Sequence, residues 1–272
     1  MTAPKILTDT RALQMHRARA RIRDLFLQVQ AADEIQDRLE MVNRAFTRIA
    51  VVTPFEGIWR ERLPEATICA DDETLPLDEK AFDLVIHSMS LHWANDPVGQ
   101  LIQCRRALRP DGMLIAVALG GQTLDELRRC LGEAEIALTG GLSPRIAPMG
   151  EIRDLGALLQ RAGLALPVAD SLPMKAEYRD ARHLMHDLRA MGETSALAAR
   201  PRNTAPRALF DRTADLYHQH FATPAEKVTA TFEMVFLTGW APDDSQQKPL
   251  RPGSAKERLA DALRVPETRL PD

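Results

Sequence analysis

Hydrophobic residues along this chain fall into two patterns, short continuous runs and one-sided stripes. The continuous runs predict buried strands at residues 49–52, 67–70, 82–86, 113–119, 164–169 and 229–239. The stripes, with apolar residues three and four positions apart, predict helices at about 97–108, 149–162, 180–191 and 206–220. Apolar strands that are separated by helices are typical of a mostly parallel sheet covered on both faces.

Two segments have the pattern of a capping box, in which a hydroxyl and a carboxylate three residues later close the first turn of a helix. Thr53-Pro54-Phe55-Glu56 also has proline at the first helical position, and the residues expected to face inward are Phe55, Ile58 and Trp59. Thr123-Leu124-Asp125-Glu126 predicts a second start, with a buried stripe at Leu124, Leu127, Leu131 and Leu138. Pro110-Asp111-Gly112 predicts a turn between a helix and the next strand.

The first segment, about residues 10–46, predicts two helices, the second of which begins at Asp33-Glu34. Its apolar stripes are Ile22, Leu25, Phe26 and Val29, then Ile35, Leu39, Val42 and Phe46. Five arginines precede or accompany them, at positions 11, 17, 19, 21 and 23. We interpret these arginines as a solvated helix face, the alternative being a patch that meets a membrane surface, nucleic acid or an acidic partner.

Composition narrows the class of protein. The 272 residues, 45% apolar and 27% charged, suit one large domain or a domain with an appended lobe. A net charge of -3 argues against general affinity for polyanions, so no nucleic-acid partner is expected. The three cysteines lack metal or disulfide spacing, His183 and His186 lack a third ligand, and no apolar run is long enough to span a bilayer. We therefore expect no metal, no transmembrane segment and a cytoplasmic protein, with a peripheral position at the inner face of a membrane left open.

Candidate chemistry follows the predicted strand at 82–86. Hydroxyls, an imidazole, an indole and a carboxylate come in quick succession there, at Ser88, Ser90, His92, Trp93 and Asp96. Ligands of open α/β sheets bind at the carboxyl ends of the strands. This cluster is therefore a candidate cofactor or substrate rim, and the alternative is a polar loop in which Trp93 fills the core.

Several segments carry a family resemblance. Residues 75–85 and Leu108-Arg109-Pro110-Asp111-Gly112 resemble the central signature of class I S-adenosylmethionine (SAM) methyltransferases. Residues 88–96 are similar to the malonyl-ACP O-methyltransferase group and, more closely, to the family of complex I assembly factor 5. Further segments that resemble the latter family are 120–124, 140–144, 154–163 and 191–193.

The resemblance implies an α/β fold of the class I methyltransferase (Rossmann-like) type, with N-terminal helices at 1–45. The methyltransferase-like domain would cover 46–272, with a helical insertion at about 170–228 that forms a lid. It also implies that Asp71 or Asp72 contacts the adenine amino group and that Ser88 lines the cofactor face. His92 and Trp93 would border the substrate opening, with Ser90 and Asp96 on the same rim. A polar loop at 242–253 and a final helix from Ser254 complete the expected order.

The chain departs from the family pattern after its first strand. Class I methyltransferases approach SAM with a glycine-rich loop there, but the first glycine of this chain is Gly57 and the next is Gly99. The segment between Val51 and Leu75 is also too short for the usual succession of strands and helices. We therefore expect a sheet shortened in its N-terminal half, with one strand–helix unit missing or merged. SAM binding would be weak or lost unless Asp71 takes over the ribose contact.

Three functions remain open from the sequence. The first is a SAM-dependent methyltransferase that acts on a protein or an acyl carrier. The second, implied by the resemblance, is an arginine-hydroxylating factor that acts on an iron–sulfur subunit of respiratory complex I. The third is a non-catalytic assembly factor on a methyltransferase scaffold.

Overall fold

A computed structural model describes residues 6–247 of the chain. Its strands are β1 (Ile49–Val52), β2 (Thr67–Cys69), β3 (Phe82–Ser88), β4 (Leu108–Leu119), β5 (Ala165–Tyr178) and β6 (Val228–Trp240). Its helices are α1 (Thr10–Arg17), α2 (Phe26–Met41), α3 (Glu56–Arg62), α4 (Pro97–Ala107), α5 (Asp125–Thr139), α6 (Ile152–Arg161), α7 (Ala181–Ala190) and α8 (Arg207–Phe221).

The strands form one six-stranded sheet in the order β2-β1-β3-β4-β6-β5. The pairs β1–β2, β1–β3 and β3–β4 are parallel, whereas β6 is antiparallel to both β4 and β5. This confirms the predicted Rossmann-like, mostly parallel α/β sheet. The N-terminal half is short as expected, because α3 alone links the four-residue β1 to the three-residue β2.

Both faces of the sheet are buried, which explains the continuous apolar runs of its strands. One face, with Val51, Ile86 and Ile115, packs against α2, α3, α5, α7 and α8. The other, with Val52, Val85 and Leu114, packs against α4 and α6. Residues 6–242 belong to one compact unit, in which α2 contributes to the main core and α1 packs in a small separate cluster through Ala12 and Leu13.

The N-terminal helices break at a different place from the prediction. Asp33-Glu34 lie inside α2, and the break falls at residues 18–25, which contain only a short 3-10 turn. Ile22 is 63% exposed rather than part of the buried stripe. The side chains of α2 that do enter the core are Leu27, Ala31, Ala32 and Ile35.

The capping box predicted at Thr53 was wrong, although the helix exists. Helix α3 begins at Glu56, without a side-chain cap, and the hydroxyl of Thr53 instead accepts a hydrogen bond from the N–H of Phe55 at 3.2 Å. This local turn is the competing use of a threonine before a helix. Ile58 and Trp59 are buried as predicted, and Phe55 is partly buried against the same core.

The second capping box was also wrong, because its side chains bind β6. The Thr123 hydroxyl accepts from Glu233 N–H at 3.1 Å and donates to Glu233 C=O at 3.3 Å. The Glu126 carboxylate accepts from the N–H and hydroxyl of Thr231. Leu138 lies past the buried stripe and is 47% exposed.

Replacing Thr123 with alanine is expected to lower the free energy of unfolding by about 1–3 kcal/mol, because the buried N–H of Glu233 loses the hydroxyl that accepts from it, whereas the Glu233 carbonyl keeps its bond from the N–H of Gly120. Urea unfolding followed by circular dichroism measures the change. Thr123→Ser keeps the hydroxyl and is expected to cost much less. Equal losses in the two variants would mean that the methyl group, rather than the hydrogen bonds, holds α5 to β6.

Two further boundaries differ from the prediction. Pro110-Asp111-Gly112 lies within β4, as an irregularity where Asp111 has a φ of 60° and the pairing with β3 shifts between Phe82 and Leu84. The proposed helical insertion at about 170–228 begins later, because residues 170–178 pair with β6 and continue β5. Its helices are α7 and α8. A short turn at 243–247 forms the described part of a second unit, and the helix predicted from Ser254 lies outside the described residues.

Candidate functional site

The carboxyl ends of β2, β1, β3 and β4 lie along one edge of the sheet, because these strands are parallel. The chain runs from β1 outward to β2 and then returns to the other side of β1 to form β3. This reversal of strand order opens a crevice in which α/β proteins bind ligands. The predicted site residues follow these strand ends.

Asp71, just after β2, turns toward this edge. Nη1 of Arg17 donates to both carboxylate oxygens of Asp71 at 2.9 Å, and each side chain is 12% exposed. Asp72 is exposed at the neighbouring position. Of the two candidates for a nucleoside contact, Asp71 therefore has the inward orientation, and Arg17 occupies it.

Arg17 corrects the expectation of one solvated arginine face. Arg11, Arg19, Arg21 and Arg23 are exposed, but Arg17 reaches the carboxylate end of a strand 54 positions along the chain. No local pattern marks it, because the arginines around it have the same spacing and composition.

A buried bridge fixes the acidic loop in place. Nε2 of His87, on β3, lies 2.7 Å from Oε1 of Gln100, whose amide nitrogen donates to the carbonyls of Asp71 and Asp72 at 3.2 and 3.1 Å. Complete burial lowers the pKa of His87, so the imidazole stays neutral. Sequence reasoning did not select His87 or Gln100, although the strand end and the helix face that carry them were both predicted.

Ser88 and Ser90 lie at the end of β3 and are fully buried. Among the described residues, their hydroxyls have no hydrogen-bond partner. Met89 between them has a φ of 48°, a left-handed conformation that costs a non-glycine residue about 1–2 kcal/mol. Strained backbone beside unpaired buried hydroxyls is common at ligand sites.

His92 and Trp93 converge on a residue that the predicted site did not include, Glu193. The indole Nε1 of Trp93 donates to Oε2 of Glu193 at 2.8 Å, and Nε2 of His92 lies 3.4 Å from the same oxygen. The N–H of Leu119 approaches His92 Nδ1 at 3.5 Å, which assigns the ring proton to Nε2, facing the carboxylate. The family-like triplet Met191-Gly192-Glu193 was the available signal for this glutamate.

The carboxyl of Glu193 is ionised. Burial opposes its charge, but the hydrogen bonds from His92 and Trp93 and the positive charge of Arg17 outweigh burial and lower its pKa. Asp96, in contrast, is committed to the fold, because its side chain caps α4 by accepting from the N–H of Gly99 at 2.8 Å.

A cavity of about 370 Å³ opens beside this cluster. Trp93, Glu193 and Ser195 contribute to its lining, while the rest of its wall is mainly apolar, with Leu119, Leu124, Leu127, Met149, Met185, Phe210 and Phe232 among its members. The volume falls within the range of small-molecule and side-chain pockets. An apolar cleft with one ionised carboxylate is suited to an aliphatic chain with a cationic end.

The same edge does not fit SAM by the family's usual geometry. Thr53 and Pro54 stand where a glycine-rich loop would lie, and the next glycine, Gly57, lies inside α3 rather than in a loop. Both oxygens of Asp71 are already engaged by Arg17. Within residues 6–247, no cluster of three metal-ligating side chains is present, and no helix there is both long and apolar enough to cross a membrane.

Comparisons with known proteins show which proteins this chain resembles. The methyltransferase domain family matches residues 35–116. The arginine-hydroxylase NDUFAF5, mitochondrial, of Danio rerio is 35% identical over 226 residues, which cover 83% of this chain and 70% of the relative. Four other proteins of that name are covered over 44–60% of their length, so this chain spans only part of most of these relatives.

Two further similarities are to a curated protein and to a solved structure. The malonyl-[acyl-carrier protein] O-methyltransferase of Laribacter hongkongensis is 32% identical over 188 residues, 69% of this chain and 61% of that protein. The solved structure of the YcgJ protein from Bacillus subtilis matches 78% of this chain and 99% of that one, with a TM-score of 0.49 and 10% sequence identity.

Proposed function

Because this chain belongs to the SAM-dependent methyltransferase family, in the group of the arginine-hydroxylase NDUFAF5, we propose that it modifies an arginine side chain of a protein substrate. The substrate we propose is an iron–sulfur subunit of respiratory complex I. The observation that carries this proposal is the apolar cavity with the ionised Glu193 in its lining. SAM is the cofactor of the family, and any loss of its binding in this chain remains a prediction.

The cavity suits arginine in both shape and charge. The three methylene groups of an arginine side chain would lie against leucine, methionine and phenylalanine, and the planar guanidinium would reach the carboxylate of Glu193. An arginine–carboxylate pair in such a water-poor setting is stronger and more directional than at the surface. His92 and Trp93 bind one oxygen of Glu193, and among the described contacts its other oxygen has no hydrogen bond.

Two arginines also line the cavity and have to be reconciled with a cationic substrate. Arg145 is paired, since its guanidinium donates to Oε1 of the buried Glu135 at 2.7 and 3.0 Å. Arg189 is exposed on the last turn of α7, so solvent screens its charge. Neither arginine is therefore expected to cancel the charge of Glu193 in our proposed binding mode.

In this proposal, the residues of the chain bind and orient the substrate. Trp93 and His92 fix the rotamer of Glu193, Glu193 holds the guanidinium, and the apolar wall keeps water from competing for it. Positioning of this kind is a large part of the catalytic contribution that an enzyme can make.

A second candidate is an acyl-carrier substrate, as the names of the malonyl-[acyl-carrier protein] relatives suggest. The exposed Arg189 at the cavity favours it, because a cation there could meet an anionic acyl group or carrier. We also propose that the protein acts beside the inner face of the membrane, where the exposed arginines 19, 21 and 23 would face anionic groups.

Mass spectrometry of the complex I iron–sulfur subunit tests the main function. In cells with this chain we expect an arginine in which one hydrogen is replaced by a hydroxyl group; dioxygen is the oxidant, and an external donor of two electrons, with two protons, reduces the second oxygen atom to water. After deletion of the gene we expect an unmodified arginine. Complementation with the wild-type chain should restore the oxygen. If the arginine has the same mass in the two strains, the proposal is wrong. A methyl ester on an acyl carrier that forms only when this chain is present would support the second candidate.

A further inference from the structure

The N-terminal arm, defined here as residues 6–20, lies over the strand ends that a nucleoside would need. Its last helical residue, Arg17, binds both oxygens of Asp71, which is the inward-facing member of the pair Asp71 and Asp72 that the family resemblance offers for the cofactor contact. The exocyclic amine of adenine or a ribose hydroxyl also requires these oxygens as acceptors. Arm docking and nucleoside binding therefore draw on the same atoms.

Specific polar contacts hold the arm along its length. The side-chain oxygen of Asn95 accepts from the N–H groups of Leu7 and Thr8 at 2.9 Å, and its amide donates back to the Thr8 carbonyl at 3.2 Å. Asp9 accepts from Arg200 and Arg202 at 3.0 Å each. The arm also has a short antiparallel bridge with the segment at 196–198.

The C-terminal end of the arm lies close to the segment at residues 192–194. Gly192 has a φ of 82°, and a β-carbon there would come within 3.1 Å of the Arg17 Cα atom. His16 Nδ1 lies 3.0 Å from the Thr194 carbonyl. The arm also buries Ala12 and Leu13 in a small apolar cluster with Trp93, Ala147, Ala196 and Leu197. This cluster is separate from the two cores that cover the sheet, so the arm can leave without disrupting the packing of the sheet.

Unpaired buried polar atoms are concentrated where the arm covers the carboxyl ends of the strands. Among the described residues, nine buried side-chain atoms lack a hydrogen-bond partner, and six of them belong to the arm, the end of β3 or the segment that the arm contacts. They are on Thr8, Arg17, His87, Ser88, Ser90 and Ser195. Buried polar groups are nearly always paired in a settled site, so this edge has donors and acceptors that a polar ligand would use.

From the shared carboxylate, the detachable contacts and the unpaired atoms, we propose that Arg17 is a stand-in for the ligand and that the arm is a displaceable strap. A nucleoside-containing ligand binds at Asp71 when Arg17 leaves it. The arm thus controls access to the site. This inference concerns ligand access and does not depend on which substrate is modified.

Calorimetric titration of the whole 272-residue chain with S-adenosylhomocysteine tests the strap. Arg17→Gln is expected to lower the dissociation constant at least 10-fold relative to wild type, because Asp71 is released. Asn95→Ala loosens the opposite end of the arm and is expected to shift binding in the same direction. Arg19→Ala removes an exposed arginine of the same segment and should bind like wild type.

Limited trypsin digestion supplies a second readout that does not require activity. The arm contains Arg11, Arg17 and Arg19, and saturating S-adenosylhomocysteine is expected to speed cleavage there at least several-fold in the wild-type protein. Slower cleavage with ligand would show that the arm clamps the ligand and would overturn the proposal. So would unchanged or undetectable binding in both Arg17→Gln and Asn95→Ala, each confirmed as folded by circular dichroism.

Failure of this proposal can be separated from failure of the proposed function. Wild-type behaviour of the two arm variants in titration refutes the strap, whatever mass spectrometry finds on the complex I subunit. An unmodified arginine refutes the proposed substrate, whatever the titration finds.

Discussion

Replacing Glu193 with glutamine is expected to reduce kcat/KM for arginine modification by at least about 100-fold, which corresponds to about 2.7 kcal/mol. The substitution keeps a carbonyl oxygen that can accept from Trp93 Nε1 but removes the negative charge that we assign to guanidinium binding. The matched control is Glu133→Gln, which makes the same charge change at an exposed position of α5. Its activity should match that of the wild-type protein.

Stability separates the binding role of Glu193 from a structural one. Glu193→Ala leaves Trp93 Nε1 without its acceptor and is expected to cost about 1–3 kcal/mol of unfolding free energy. Glu193→Gln should cost much less while losing nearly all activity. If Glu193→Gln modified the arginine at the wild-type rate, the carboxylate would be only a clamp for His92 and Trp93.

The pH dependence follows from the lowered pKa of Glu193. A carboxyl whose pKa is lower in the folded protein contributes stability above its unfolded pKa and loses that contribution as the pH falls through the folded value. The ordinary value is 4.5, so Glu193 remains charged between pH 7 and pH 5. Substrate binding should not weaken over that interval through this group, which titration of a substrate peptide at both pH values would check.

The sheet was predictable because its signal is local. Strands such as β3 and β4 are buried on both faces and are therefore apolar without interruption, and the helices between them carry one-sided stripes. The exception, residues 170–178, alternates in burial along an edge strand and contains Pro173. Because only every second residue there is partly buried, the apolar pattern is weak, and the predicted strand ended at residue 169.

The predicted capping box at Thr123 was wrong for a different physical reason. The hydroxyl of Thr123 and the carboxylate of Glu126 suit a capping box, but they also suit the backbone of β6 about 105–110 positions away, and the tertiary contacts prevail. A sequence pattern cannot distinguish the two uses. Only the placement of β6 beside β4 decides between them.

The site was predictable as a strand end but not as a set of contacts. Ser88 to Trp93 were located because they follow an apolar strand, whereas Arg17 and Glu193 act across 54 and 100 positions of sequence. Their partners become neighbours only after the arm and the segment after α7 fold over the edge of the sheet. The functional roles of Asp71, Ser88, Ser90, His92 and Trp93 remain predictions that the variants above would test.

Replacing Trp59 with alanine is expected to lower the free energy of unfolding by about 3–5 kcal/mol. Trp59 is 1% exposed on α3 and is among the largest fully buried side chains of the described chain. It packs in the core shared by α2 and the sheet, while β1 and β2 beside it have four and three residues. With so little other structure in this half of the sheet, a cavity at Trp59 has few neighbours that can move to fill it.

Two controls show whether the effect comes from lost volume in the core. Trp59→Phe retains an aromatic ring and is expected to cost less than Trp59→Ala. Arg60→Ala removes a solvent-exposed partner of Glu56 and should change stability by at most about 0.5 kcal/mol. Unfolding should be followed by far-ultraviolet circular dichroism, since the substitution also removes one of the three tryptophan fluorophores.

The shape of the unfolding transition shows whether the shortened half of the sheet unfolds together with the rest of the protein. If the shortened half belongs to the cooperative core, Trp59→Ala shifts a single transition to lower denaturant concentration with little change in slope. A cost below about 1 kcal/mol, or a separate early transition, would instead mean that β1, α3 and β2 unfold independently. In that case Asp71 would be held mainly by Gln100 and Arg17, and the access of ligands to this edge would depend on local unfolding rather than on the arm alone.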